Sequence, residues 1–164
     1  MNNAVSIDDL SVVARQCIAV TCLQRFCRRY QIAHPALSQF IDHVWKVGQA
    51  DRETFVAWDM GFSALPITGL GDEWPEDVRA AIPEDIYDTL AGLVDHVLET
   101  SACTWYGGDL PTTRRQLEIV LSICEQHGVV KPDFRQYTQA QAQLRGGWGP
   151  VLTDEEINAW RGLA

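Results

Sequence analysis

No strongly apolar stretch in this chain exceeds about seven residues, the longest being Cys17 to Leu23 between Arg15 and Gln24. A helix that crosses a bilayer needs roughly twenty, so no membrane-spanning helix is expected. The opening, Met1-Asn2-Asn3-Ala4-Val5-Ser6-Ile7-Asp8-Asp9, lacks the basic start and unbroken apolar run of a secretory signal. The mature protein is therefore expected to start at Met1 and to be cytoplasmic. Also missing are the short signatures of common chemistry: there is no Gly-x-Ser-x-Gly, no Gly-x-x-x-x-Gly-Lys, no Cys-x-x-Cys and no His-Glu-x-x-His. No segment of five or more residues alternates as a half-buried strand would. Without a preceding strand, Gly107-Gly108 and Gly146-Gly147-Trp148-Gly149 read as turns and not as phosphate cradles.

Disulfide pairing is equally poorly supported. The five cysteines, Cys17, Cys22, Cys27, Cys103 and Cys124, cannot all pair within one chain. Cys17, Cys22 and Cys27 share one expected helix at five-residue spacing, and five steps of about 100° set successive thiols about 140° apart around its axis. They cannot converge on one metal or bridge one another, and buried, reduced thiols are expected, as suits a reducing compartment.

What is present is a globular composition, 46% apolar and 21% charged over 164 residues, which is enough for one buried core. The apolar spacing is helical. A first helix is expected from Ser6, capped with Asp9, to about Tyr30, with Leu10, Val13, Cys17, Val20, Leu23, Cys27 and Tyr30 as its stripe and Ile18, Cys22 and Phe26 widening it. Arg25, Arg28 and Arg29 then complement the dipole at its C-terminus. A second helix should open at Pro35 after His34, bury Leu37, Phe40, Ile41 and Val44, and stop at Gly48. A third should run from Asp51 or Arg52 to Met60. After a loop from Ser63 to Asp72, the phrases Pro75-Glu76-Asp77-Val78 and Pro83-Glu84-Asp85-Ile86 read as helix starts. The second of these helices is expected to reach Trp105 or Tyr106. Leu110-Pro111 opens a helix closed by Gly128, Asp133 to Gln143 is a weaker helical segment, and Thr153 with Glu156 makes a capping box for the last helix. The expected fold is all-α: a single domain over residues 1–164, a compact bundle of about six to eight helices of unequal length.

The net charge of −9 is unevenly distributed. Residues 1–33 carry +2, residues 34–110 hold three basic against fourteen acidic residues, and residues 111–164 balance. Phosphate backbones and anionic lipid surfaces would repel such a chain, so neither nucleic acid nor membrane is expected as partner. The acids concentrate at Asp72, Glu73, Glu76, Asp77, Glu84, Asp85 and Asp88, with Trp74 inside the run and Arg79 its sole base. Some of these acids serve helix starts. The remainder, together with Trp74, form a candidate surface for a basic protein.

A second candidate comes from an internal similarity. Residues 37–45 and 90–98 match at four of nine positions, including Asp42-His43 and Asp95-His96, which suggests a duplicated helix and an interhelical pocket drawing on His43, Asp95, His96 and Glu99. Adjacent helical residues point about 100° apart, whereas bundle metal sites use Glu and His three apart. The simpler reading is that both histidines flank the apolar stripe, half exposed, each with its Asp toward solvent. His127 is expected to interact with the last carbonyls of its helix, and Trp105, Tyr106 and Trp148 to seal the bundle ends. No metal, cofactor or catalytic residue is expected. The leading expectation is a non-enzymatic acidic protein engaging a basic protein, comparable to bacterial immunity proteins in charge and size alone; the alternative is an enzyme or small-ligand or metal binder using the Asp-His pocket.

Overall fold

Ser11 determines where the longest buried segment begins. A computed structural model describes residues 4–164, so the expected start at Met1 lies outside the described residues. Ser6 and Asp9 do form their capping box, but it serves only one 3-10 turn, Ile7–Asp9, after which Leu10 is extended and turned into the core. Ser11 then accepts from the Ala14 N–H at 3.0 Å and opens α1 (Val12–Arg29). The expected helix from Ser6 is thus split in two, because a second serine competes as cap where Leu10 gains most by burial.

Further along follow α2 (Pro35–Trp45), α3 (Phe55–Gly61), α4 (Glu76–Ala80), α5 (Glu84–Ala102), α6 (Leu110–Gln126), the short turn α7 (Leu144–Gly147) and α8 (Asp154–Arg161). The described residues contain no strand, and the architecture is an all-helical bundle. No helix is long and apolar enough to cross a membrane among the described residues. Helices α2, α5 and α6 pack around α1, so α1 is buried on every face from Val12 to Leu23 and not along a stripe alone. The buried apolar residues form one continuous cluster.

That burial encloses polar groups, which the fold must satisfy. Arg15 donates from Nε to the Ile7 carbonyl at 3.2 Å, and from Nη1 to the Leu110 carbonyl at 3.1 Å and to Thr113 Oγ1. Gln16 donates to the Val97 carbonyl at 2.6 Å, while its Oε1 has no hydrogen-bond partner among the described residues. Thr21 meets the buried Tyr137 hydroxyl at 3.0 Å.

Helix ends follow local chemistry in most places. Pro35 begins α2 with His34 as cap, its Nδ1 accepting from the Ala36 N–H at 3.1 Å. Thr153 and Glu156 box the start of α8 as expected. Gly128, at φ 67°, closes α6 as Val129 donates back to the Cys124 carbonyl at 2.8 Å. Gly48 acts differently: it sits within a 3-10 turn, and a Cβ there would come within 2.7 Å of Leu152 and 2.8 Å of Ile157. Helix α3 is shorter at its start than expected because the Asp51 carboxylate holds the Glu53 and Thr54 N–H groups in a turn. Helix α5 ends at Ala102, before Trp105. From Asp133 to Gln143 only Phe134–Tyr137 is helical, as a 3-10 turn, because Thr138 is extended and Gln141 left-handed at φ 63°.

Candidate functional site

Pro75 and Pro83 place two helix starts side by side. Each carbonyl receives the first backbone bonds of its helix, from Val78 and Arg79 in α4 and from Ile86 and Tyr87 in α5. Val78, Ile82 and Ile86 turn inward, which leaves the intervening acids facing outward. Between the helices lies an open groove of about 1020 Å³, whose lining includes Glu73, Trp74, Glu76, Arg79, Glu84, Tyr87 and Asp88.

Five of the eight residues singled out from sequence therefore meet: Glu73, Trp74, Glu76, Glu84 and Asp88. Asp72 instead accepts from Thr68 Oγ1 at 2.7 Å, Asp77 lies 3.6 Å from His34 Nε2, and Asp85 is exposed outside the groove. Trp74 is only 5% exposed and sets its ring edge-on to Tyr87 with centroids 5.4 Å apart. It forms the floor of the groove and does not project as an anchor, because the indole gains more by burial than by display. Arg79 lies over the Tyr87 ring at 4.8 Å and pairs with Glu73 at 3.2 Å. Among the described residues, Glu76, Glu84 and Asp88 form no ion pair.

The Asp-His pairs go to different partners. His43 Nε2 contacts the Trp58 carbonyl at 2.7 Å, with its ring stacked on Trp58 and edge-on to Phe62. Burial holds its pKa below the ordinary value, opposed by the bond to Trp58. His96 Nδ1 instead meets Gln116 Oε1 at 2.7 Å on α6. Asp42 pairs with Arg161, whereas Asp95, half-buried, accepts from the Gly71 N–H at 3.3 Å. Burial raises the pKa of both Asp95 and Glu99. No group of three or more His, Cys, Asp or Glu side chains is placed to hold a metal among the described residues. The two copies share their burial pattern, with Leu37, Phe40, Ile41 and Val44 matching Leu90, Leu93, Val94 and Val97, as two amphipathic helices packed on one partner require.

Other residues take roles that spacing alone did not reveal. The His127 ring meets the Tyr30 hydroxyl at 2.6 Å and does not cap its own helix; only its backbone N–H reaches the Ile123 and Cys124 carbonyls. Trp105, Tyr106 and Trp148 all pack edge-on to Phe55, covering α3. Arg25 is more than a charge at a helix end: it donates to the Val130 carbonyl at 2.9 Å and the Leu163 carbonyl at 2.6 Å. Arg25, Arg28 and Arg29 line a cleft of about 350 Å³ with Gly128, Val129 and Val130. All five cysteines are free; four are buried, and Cys103 is partly exposed.

A helical bundle with an acidic groove at one edge is the class of protein that fold and site define. Comparison with models of known protein families, with curated proteins and with solved structures finds no significant match.

Proposed function

We propose that the protein is a non-enzymatic binding protein whose acidic edge, formed by α4 and the start of α5, engages a basic protein. The observation that carries this reading is the open groove whose Glu76, Glu84 and Asp88 carboxylates have no cationic partner among the described residues. Exposed acids left unpaired contribute little to folding, yet they steer and select a partner of opposite charge. Arg79 supplies an internal precedent: its guanidinium lies between the Glu73 carboxylate and the Tyr87 ring, the kind of seat an incoming arginine would use. An acidic protein neutralising a basic toxin or enzyme, as immunity proteins do, is a functional analogue in charge and size.

The test is chromatography of a native lysate over the immobilised protein, at low and then high salt, beside a variant carrying Glu76→Lys, Glu84→Lys and Asp88→Lys. The reading expects a basic protein retained by the wild type, released by salt, and not retained by the variant, since screening weakens exposed charge pairs. Equal retention by the folded variant overturns it.

A further inference from the structure

The last turns of α1 carry Arg25, Arg28 and Arg29 at i, i+3 and i+4, so the three share one face of the helix. The segment just past α6 comes up beside them, and together they line the cleft of about 350 Å³ that also includes Gly128, Val129 and Val130. Complementing the helix dipole accounts for cations at the end of α1. It does not account for their convergence on a second segment, nor for the way they are held.

All three are held without a counter-charge. Arg25 donates from Nη1 to the Val130 carbonyl at 2.9 Å and from Nη2 to the Leu163 carbonyl at 2.6 Å, and Arg28 donates from Nη1 to the Ala164 carbonyl at 3.2 Å. A Cβ at Gly128 would come within 3.2 Å of Arg29 Nη2 and 3.4 Å of its Cζ, so the Arg29 guanidinium lies against bare backbone. None of the three pairs with a carboxylate among the described residues. A guanidinium has five N–H donors; on the described chain Arg29 uses none of them, Arg28 one and Arg25 two.

We propose that this cleft binds a small soluble molecule through a phosphate group seated among Arg25, Arg28 and Arg29. Carbonyl anchors position a guanidinium without neutralising it, and the free N–H forks match the oxygens of a phosphate in pairs. Three positive charges within two turns suit a group bearing two or more negative charges, a phosphomonoester or a diphosphate, above a single carboxylate. Val129 and the exposed Val130 supply an apolar lip for the organic part of such a molecule. A soluble phosphate is favoured over a lipid headgroup because the acidic excess of residues 34–110 opposes approach to an anionic bilayer. A small ion in the cleft feels mainly the charges within a Debye length, about 8–10 Å.

The test titrates the full chain with inorganic pyrophosphate and with inorganic phosphate, by calorimetry and by melting temperature, against sodium chloride at matched ionic strength. Saturable one-to-one binding of pyrophosphate is expected, tighter than that of phosphate, with a rise in melting temperature that chloride does not give. Arg28→Gln combined with Arg29→Gln should weaken binding about tenfold or more. Arg29→Lys, which keeps the charge but loses the fork, should weaken it by a smaller factor with the unliganded melting temperature unchanged, and it carries the test should the double variant fail to fold. Arg25 is left in place because it ties α1 to the Val130 and Leu163 carbonyls. No saturable pyrophosphate binding up to about 10 mM, equal binding by the folded double variant, or the same effect from chloride would overturn the proposal. So would sedimentation with phosphatidylcholine vesicles containing a phosphoinositide when pyrophosphate itself does not bind.

Discussion

Helix α1 and the α4–α5 edge treat polar residues in opposite ways. In α1, Arg15, Gln16 and Thr21 are buried and aimed at carbonyls and hydroxyls of other segments. At the edge, Glu76, Glu84 and Asp88 face solvent and bond to no cation of the described chain. A buried polar group fixes the relative placement of helices and costs stability when its partner is removed. An exposed, unpaired charge fixes nothing internally and is free for recognition. The chain thus separates the polar groups that hold its helices together from those it leaves in solvent.

That division can be broken or sharpened by substitution. Leu23→Ala, in the fully buried part of α1, should cost about 2–5 kcal/mol in denaturant unfolding, from lost burial and the cavity left behind. Arg15→Met keeps much of the volume but leaves the Ile7 and Leu110 carbonyls and Thr113 without their donor, and about 1–3 kcal/mol should be lost. His43 offers a smaller effect through pH. Its folded pKa lies below the ordinary 6.5, so the unfolded chain takes up the proton first; its contribution is whole above that value and declines as pH falls through it toward the folded pKa. Melting temperature should therefore drop from about pH 7.5 to about pH 5.5, and His43→Gln should flatten that slope. Smallest of all, neutralising Glu76, Glu84 and Asp88 to their amides should lower unfolding free energy by about 1 kcal/mol or less, chiefly from the first-turn positions of Glu76 and Glu84, while partner retention falls. A loss there as large as that of Leu23→Ala would break the comparison.

Much of the fold was legible wherever the signal is local. The Thr153 and Glu156 box, Pro35 at a helix start and Gly128 at a helix end each act within a few residues. Ser6 misled because two serines five residues apart can both cap, and the choice between them rests on burying Leu10 against distant segments. The stretch from Asp133 to Gln143 has no strong period, and its anchor is the Tyr137 hydroxyl reaching Thr21 across 116 residues. The acidic surface was visible as composition, but the groove depends on how α4 folds beside α5. The burial of Trp74 is a long-range outcome that no spacing within one helix can encode.

The look-alike helices α2 and α5 have one more consequence, for the order of assembly. Their matching apolar faces give α1 two helices with similar claims on the same surface, a setting in which docking at the wrong place is a kinetic trap. The two histidines distinguish the copies. His43 bonds to Trp58, 15 residues away, and His96 to Gln116, 20 residues away, and short loops close at less entropic cost than long ones. Each copy can thus acquire its own neighbour, α3 or α6, before it competes for α1.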